Sequence, residues 1–337
     1  MKIVITTGVY PPKVGGPAYY ALNLKNALER QGIEVIVLTY DFENKLPSGI
    51  RHIWFGVRLF KAIFRVDGVI ALDTFSVGLP SVFVGYLTSV PVVVRVGGDF
   101  LWEKYIEKRS SSVTLSDFYF KKNELFLYEK IVFYLTRFVT GKASAVVFST
   151  KWQADIWATP YGIKQDKIFI VENFYGPKKS NQIKKWSESL NFVWAGRSLF
   201  LKNIDRLKEI FKEILIDHPN LSLKLYEDLS QAELFDKLDQ ASVVVIPSLS
   251  DVSPNLALES LMFNTPVILT KETGLRDRLG ESVAYINPVD NKDIIDKIIS
   301  ISSEVEYNKR AELVSKFNFQ HNYEQIASEF LNIFKSL

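Results

Sequence analysis

Cysteine is absent from the 337 residues, and only two methionines and three histidines are present. Without thiols there is no disulfide framework, no thiolate nucleophile and no thiolate metal site. The histidines, His52, His218 and His321, stand at unrelated positions, which argues against a zinc site or a histidine-based triad. Long apolar runs are missing too: SVFVGYL and IVFYL are too short to cross a bilayer. The opening MKIVITTGVY has no signal-peptide pattern, so the expectation is a cytoplasmic chain. A net charge of +3 is too small to argue for nucleic acid, and RNP-type and zinc-finger motifs are missing, so no nucleic-acid partner is expected. GxSxG, GxxxxGK[ST] and a D-x-D pair are lacking as well. The expected chemistry therefore uses no metal and no bound cofactor.

What is present is an ordinary globular composition, 47% hydrophobic and 23% charged. The length exceeds what one core usually serves, so two domains are expected. Short β-rich runs alternate with helical stretches, the pattern of parallel sheets covered on both faces. The first half reads KIVITT, EVIVLTY, GVIALD, PVVVRV, SAVVFS and KIFIVEN as strands; the second reads NFVWAG, LSLKLY, SVVVIPS, PVILT and VAYINP. Between them FYGPKKSNQIKKWSES is polar, basic and holds a Gly-Pro, so it reads as a linker. The expected organisation is a domain at 1–173, a linker at 174–190, a second domain at 191–318 and a C-terminal helix at 319–337 that could fold back on the first. Two segments, 51–65 and 121–142, mix Trp, Phe and Tyr with Lys and Arg. They read as helices packing on a sheet, as a surface for an anionic membrane, or as both.

Open α/β sheets bind ligands beyond the carboxyl ends of their strands. In the second half that rule selects Arg197 and Lys202 after NFVWAG, where a guanidinium fork and an ammonium can meet clustered phosphate oxygens. It also selects SDVSPNLALESLMFNTPVILT, with Ser253 expected as N-cap, Pro254 as first helical residue and Asn264 as the stop. The apolar collar of this helix carries one carboxylate, Glu259, which shares a face with Asn255. A buried carboxylate needs a partner, either a protein cation or a ligand such as a ribose diol. The helix start near Ser253 suits phosphate. In the first half, Gly15-Gly16-Pro17 precedes an amphipathic helix and lets a ligand approach the backbone. It is not GxGxxG, so nicotinamide binding is not expected. Asp99, after two glycines, is a candidate general base or hydroxyl-orienting group, with Trp102 and Tyr105 near to stack on sugar rings or to pack the loop. An Asx-turn or helix cap is the competing reading of Asp99.

These residues resemble the retaining family-4 glycosyltransferases (glycosyltransferase group 1). The resemblance runs over nearly the whole chain and is most specific in VWAGRSLFLKNIDRL and VIPSLSDVSPNLALESLMFNTPVILT. It implies two facing Rossmann-like domains with a cleft between them, the GT-B architecture. It also implies transfer of a sugar from a nucleotide diphosphate sugar to a hydroxyl of a glycan or lipid-linked acceptor, of polysaccharide or lipopolysaccharide type. Arg197 and Lys202 match the family's diphosphate-binding pair, and Asp251 and Glu259 match its E-x7-E motif. In that motif the second acid binds the ribose and the first contacts the transferred sugar. Gly15 and Gly16 match the glycine loop, and Asp99 the acid or histidine of the first domain. Two departures stand out: the first acid is shorter by one methylene, and the stretch from LKLYEDLSQAEL to SVVVIPS lacks a helix and strand that usually shape the base pocket. A degenerate nucleotide-sugar-binding module or partner subunit is thus the alternative.

Overall fold

The computed structural model describes residues 1–13, 15–40, 42–47, 49–120 and 125–337. The chain forms two compact units: Met1–Leu101 with Asn123–Phe174 and His321–Leu337, and Trp102–Lys122 with Tyr175–Gln320.

The first unit alternates β1 (Lys2–Thr7), α1 (Gly16–Arg30), β2 (Glu34–Thr39), α2 (Ile50–Ala62), β3 (Gly68–Ala71), α3 (Gly78–Thr88) and β4 (Val92–Val96). The next helices, α4 (Phe100–Arg109) and α5 (Leu115–Phe118), lead away from this sheet. The first unit resumes with α6 (Leu127–Lys142), β5 (Ala145–Phe148), α7 (Lys151–Tyr161) and β6 (Ile168–Ile170). All pairings are parallel, in the order β2-β1-β3-β4-β5-β6. Strands such as β4 and β5 are buried along their whole length. That is why they read as continuous apolar runs rather than alternating ones.

The second unit holds β7 (Leu190–Ala195), α8 (Ile204–Asp217), β8 (Leu221–Tyr226), α9 (Gln231–Gln240), β9 (Val243–Ile246), α10 (Asn255–Met262) and β10 (Val267–Thr270). It continues with α11 (Arg276–Leu279), β11 (Ala284–Ile286), α12 (Asn291–Ser302) and α13 (Glu304–Lys316). Its parallel sheet runs β11-β10-β9-β7-β8, with apolar clusters on both faces. Only α9 lies between β8 and β9 among the described residues, the short connection the sequence indicates.

Two sequence boundaries move. Residues 102–122, read as part of the first domain, pack in the second unit. The reason is specific bonding: Leu115 N donates to Ser250 Oγ at 2.8 Å, and Ser116 Oγ to Glu272 at 2.5 Å. The stretch read as a linker is also fastened to the second unit. Lys178 Nζ donates to the carbonyls of Leu261 and Val314, and Asn264 Nδ2 to those of Ser180 and Gln182. Burial pushes the Lys178 ammonium down to about 8. The last helix, α14 (Tyr323–Ser336), belongs to the first unit, where it packs on α1 and buries Ile326, Ala327, Phe330 and Ile333.

Candidate functional site

In the second sheet the strand order reverses between β7 and β9, so the loops after these two strands flank its topological switch point. The loop after β7 begins at Gly196, whose φ of +154° favours glycine; a Cβ there would lie 3.3 Å from the Trp194 ring. The loop ends at Asn203, itself left-handed, whose amide donates to Pro247 O at 3.0 Å and Pro288 O at 2.8 Å. Leu249 N donates to Leu201 O at 2.8 Å. These bonds register the loops after β7 and β9 against each other and bring Lys202 Nζ to 2.5 Å from Asp251 Oδ2. Ser248 Oγ reaches the same oxygen at 3.5 Å. Asp251 is held in turn by an isolated parallel bridge to Thr273, with Asp251 N donating to Glu272 O at 2.9 Å. Arg197 is exposed on this loop and has no side-chain partner among the described residues.

Helix α10 starts one residue later than its sequence suggests. Pro254, at φ −66° and ψ 112°, is the N-cap, and Ser253 does not cap. Proline's φ suits the capping position as well as the first helical one, so Ser253 falls too far back to reach the first-turn amides. Its hydroxyl is left buried without a partner. The first backbone bond of the helix comes from Ala257, to Pro254 O, so the amides of Asn255 and Leu256 precede it. Asn264, at φ +56°, ends the segment as expected.

Glu259 is in no ion pair among the described residues. Burial pushes its carboxyl up to about 7, against a hydrogen bond from the Gln231 side chain at the start of α9. A protein cation is therefore not what the buried acid was waiting for. Gln231 was not singled out by the sequence, since nothing in its spacing ties α9 to α10.

In the first unit, Gly15 caps α1 at φ +142°, and Ala18 N and Tyr19 N donate to its carbonyl. Gly16 is the first helical residue, and Val14 of the same stretch lies outside the described residues. Asp99 is 2% exposed and accepts from Trp157 Nε1 at 2.9 Å. Such enclosure, with one carboxylate oxygen on the Trp157 ring nitrogen, leaves little of the acid open to a substrate. Trp102 and Tyr105 are not stacking platforms for a sugar. Trp102 is buried with Nε1 on Val113 O, and Tyr105 packs edge-on against Phe118 under Arg109.

Two family models match, Glycosyltransferase Family 4 over residues 14–178 and Glycosyl transferases group 1 over residues 181–304. The chain belongs to the family-4 glycosyltransferases. An uncharacterized glycosyltransferase of Methanocaldococcus jannaschii is 23% identical over 99% of this chain and 98% of its own. The sucrose-phosphate synthase of Thermosynechococcus elongatus shares the fold at a TM-score of 0.70 and 12% identity, over 99% of this chain and 98% of that one. A trehalose-6-phosphate structure from E. coli, bound with UDP-2-fluoro glucose, does so at 0.71 and 10%, over 100% and 99%. In this family-4 glycosyltransferase the Arg–Lys pair and the x7-spaced acids thus stand on loops and a helix at one edge of one sheet. Among the described residues no helix is long and apolar enough to cross a membrane.

Proposed function

We propose that this glycosyltransferase moves a hexose-type sugar from a nucleotide diphosphate sugar to a hydroxyl of a glycan or lipid-linked acceptor, with retention and without a metal. The observation that carries the reading is Glu259: a half-buried acid with no protein cation, on the helix that opens at the switch point holding Arg197 and Lys202. A sugar diol would supply the two donors such a carboxylate lacks. The E. coli structure bound with UDP-2-fluoro glucose and an Anabaena structure in complex with UDP share the fold, which favours a nucleotide-sugar donor here.

In this reading Arg197 and Lys202 grip the diphosphate, and the free amides of Asn255 and Leu256 add donors at a helix start. Lys202 is already steadied by Asp251, so less side-chain freedom is lost on binding. Asp251 Oδ2 is taken by Lys202 and Ser248, which leaves Oδ1 for a hydroxyl of the transferred sugar. The bond from the sugar's anomeric carbon to the diphosphate breaks, and a bond to the acceptor oxygen forms on the same face. The acceptor proton passes to the leaving phosphate oxygen. The two cations carry the negative charge that grows on that phosphate.

The tie between Lys202 and Asp251, together with the short β8–α9–β9 connection, favours one second reading, a module that binds a nucleotide sugar without turning it over. Arg197→Ala and Lys202→Ala decide the first question: each should weaken donor binding roughly 10- to 100-fold, the worth of a charge-assisted contact. Unchanged affinity in both refutes the site. A thermal-shift screen over UDP-, GDP-, ADP- and TDP-sugars identifies the base, since a specific ligand stabilises by mass action. Slow donor hydrolysis by the purified chain would remove the binding-module reading.

A further inference from the structure

Helix α2 is apolar on two opposite sides. Phe55 and Leu59 are buried against the first unit, as an amphipathic helix requires. Yet Ile50, Ile53, Trp54, Val57, Phe60 and Phe64 are all exposed, Ile53 at 71% and Phe64 at 70%. At 3.6 residues per turn the first five fall within a sector of about 120°, pointing away from the buried pair, and Phe64 follows the end of the helix with its ring edge-on to Phe60. The same doubling recurs next door. Helix α3 packs on α2 and exposes Phe83, Tyr86 and Leu87; α6 packs on α3 and exposes Leu127, Tyr128, Ile131 and Tyr134. Lys142 Nζ sits 4.8 Å over the Tyr86 ring, which places exposed residues of α3 and α6 side by side. Three neighbouring helices of one layer therefore present large apolar side chains to solvent. Single exposed apolar residues need no explanation, but a continuous set marks an interaction surface.

The charges on the same helices choose the partner. Lys61 lies inside the α2 stripe, and Arg65, just past the end of the helix, is exposed as well. Helix α6 adds Lys130, Arg137 and Lys142. The only acid on the three helices, Glu129, is buried and turned to its own N-terminus, where it accepts from Phe126 N at 2.8 Å. Aromatic residues interleaved with lysine and arginine, with acids absent from the outer side, match the headgroup zone of an anionic bilayer. A protein partner would select against the lysines. Residues 121–124, which precede α6, lie outside the described residues.

We propose that the outer faces of α2, α3 and α6 dock this chain on an anionic membrane surface, side chains entering the headgroup region and no segment spanning it. The proposal stands on the first unit alone and is independent of the donor site.

The test is flotation of the full chain with vesicles of phosphatidylcholine, or of equal parts phosphatidylcholine and phosphatidylglycerol. The chain should float with the anionic vesicles, less so as salt rises. Replacing Trp54→Ser, Phe60→Ser and Phe64→Ser together should weaken partitioning by well over roughly ten-fold, since binding scales with buried apolar area. The charge reversal Lys61→Glu with Lys130→Glu should cost roughly ten-fold on anionic vesicles and leave the neutral ones unaffected. All five positions are exposed, though Trp54 and Phe60 are about half covered and Phe60 meets Phe64, so thermal melting should fall slightly while the chain stays folded. A wild-type chain that stays in solution overturns the proposal, as does flotation indifferent to the serine variant. Sedimentation velocity without vesicles closes the remaining route: a dimer that the serine variant abolishes reassigns the face to a second copy.

Discussion

Lys202 Nζ stands 2.5 Å from Asp251 Oδ2, joining the loop after β7 to the loop after β9 across the switch point of the second sheet. Both side chains are partly shielded, so the pair is worth only about 1 kcal/mol to folding. Its larger consequence is positional: it fixes the ammonium and the shorter first acid of the motif in one place. Asp251→Asn should therefore change stability by about 1 kcal/mol or less, in chemical denaturation. On the proposed role of Asp251 toward the transferred sugar, turnover should fall far more, on the order of 100-fold, since such a contact acts in the transition state. Equal small losses in both measurements would make Asp251 a structural residue.

Asn203 is the joint that sets this geometry. Its left-handed φ of +60° and its two bonds to Pro247 O and Pro288 O do different jobs, which substitution can separate. Asn203→Gly keeps the conformation and removes the amide. The expected loss is about 1–2 kcal/mol of stability, with the two carbonyls left unbonded. Donor affinity should fall several-fold as Lys202 loses its fixed approach. Isothermal titration beside denaturation would separate the two effects.

How much of this could be read beforehand depends on what kind of interaction made it. Every strand run named from the sequence is a strand in the structure: the central ones because strands buried on both faces are apolar throughout, the half-exposed edge strands β2 and β8 because short β-rich runs there alternate with helical stretches. Arg197 and Lys202 stand out in the sequence because the end of a parallel strand is where an α/β sheet exposes its ligands, Glu259 because it is the one carboxylate of an apolar helix, and Asp251 through the family motif. The start of α10 was missed by one residue, since proline's φ fits two adjacent positions. The placement of residues 102–122 was beyond reach. It depends on contacts such as Leu115 to Ser250, 135 residues apart, which leave no periodic trace. The packing of Trp102 was hidden for the same reason: a tryptophan beside a glycine turn looks alike whether it meets a sugar or a carbonyl.

Gly68 opens β3 directly under α14. A Cβ there would lie 2.3 Å from Phe334 Cε1, inside any real contact, and an aromatic ring yields less easily than a flexible chain. Gly68→Ala should cost about 2–3 kcal/mol by overpacking. Phe334→Ala in the same chain should recover a good part of that, since it removes the colliding ring. A double-mutant cycle in urea reads the coupling directly, and purely additive effects would show that α14 does not rest on β3.

Glu259 gives the sharpest pH dependence. Its carboxyl is pushed from the ordinary glutamate range up to about 7 by burial, only partly offset by Gln231. Ionisation therefore costs more in the folded chain than in the unfolded one. Below the ordinary carboxyl range both states are protonated and the residue exacts no penalty. Between about pH 4.5 and 7 the unfolded chain has lost its proton and the folded one keeps it, so stability falls as pH rises. Above that range the penalty is complete, on the order of 3 kcal/mol. Glu259→Gln should accordingly stabilise the chain at about pH 8 and matter little at about pH 4. Donor affinity should run the other way. Only the ionised carboxylate can accept from both hydroxyls of a diol, so binding of the matching nucleotide sugar should tighten from about pH 6 to 8. In Glu259→Gln that rise should vanish. A variant that keeps the wild-type pH profile for donor binding would take Glu259 out of the site, whatever it does to stability.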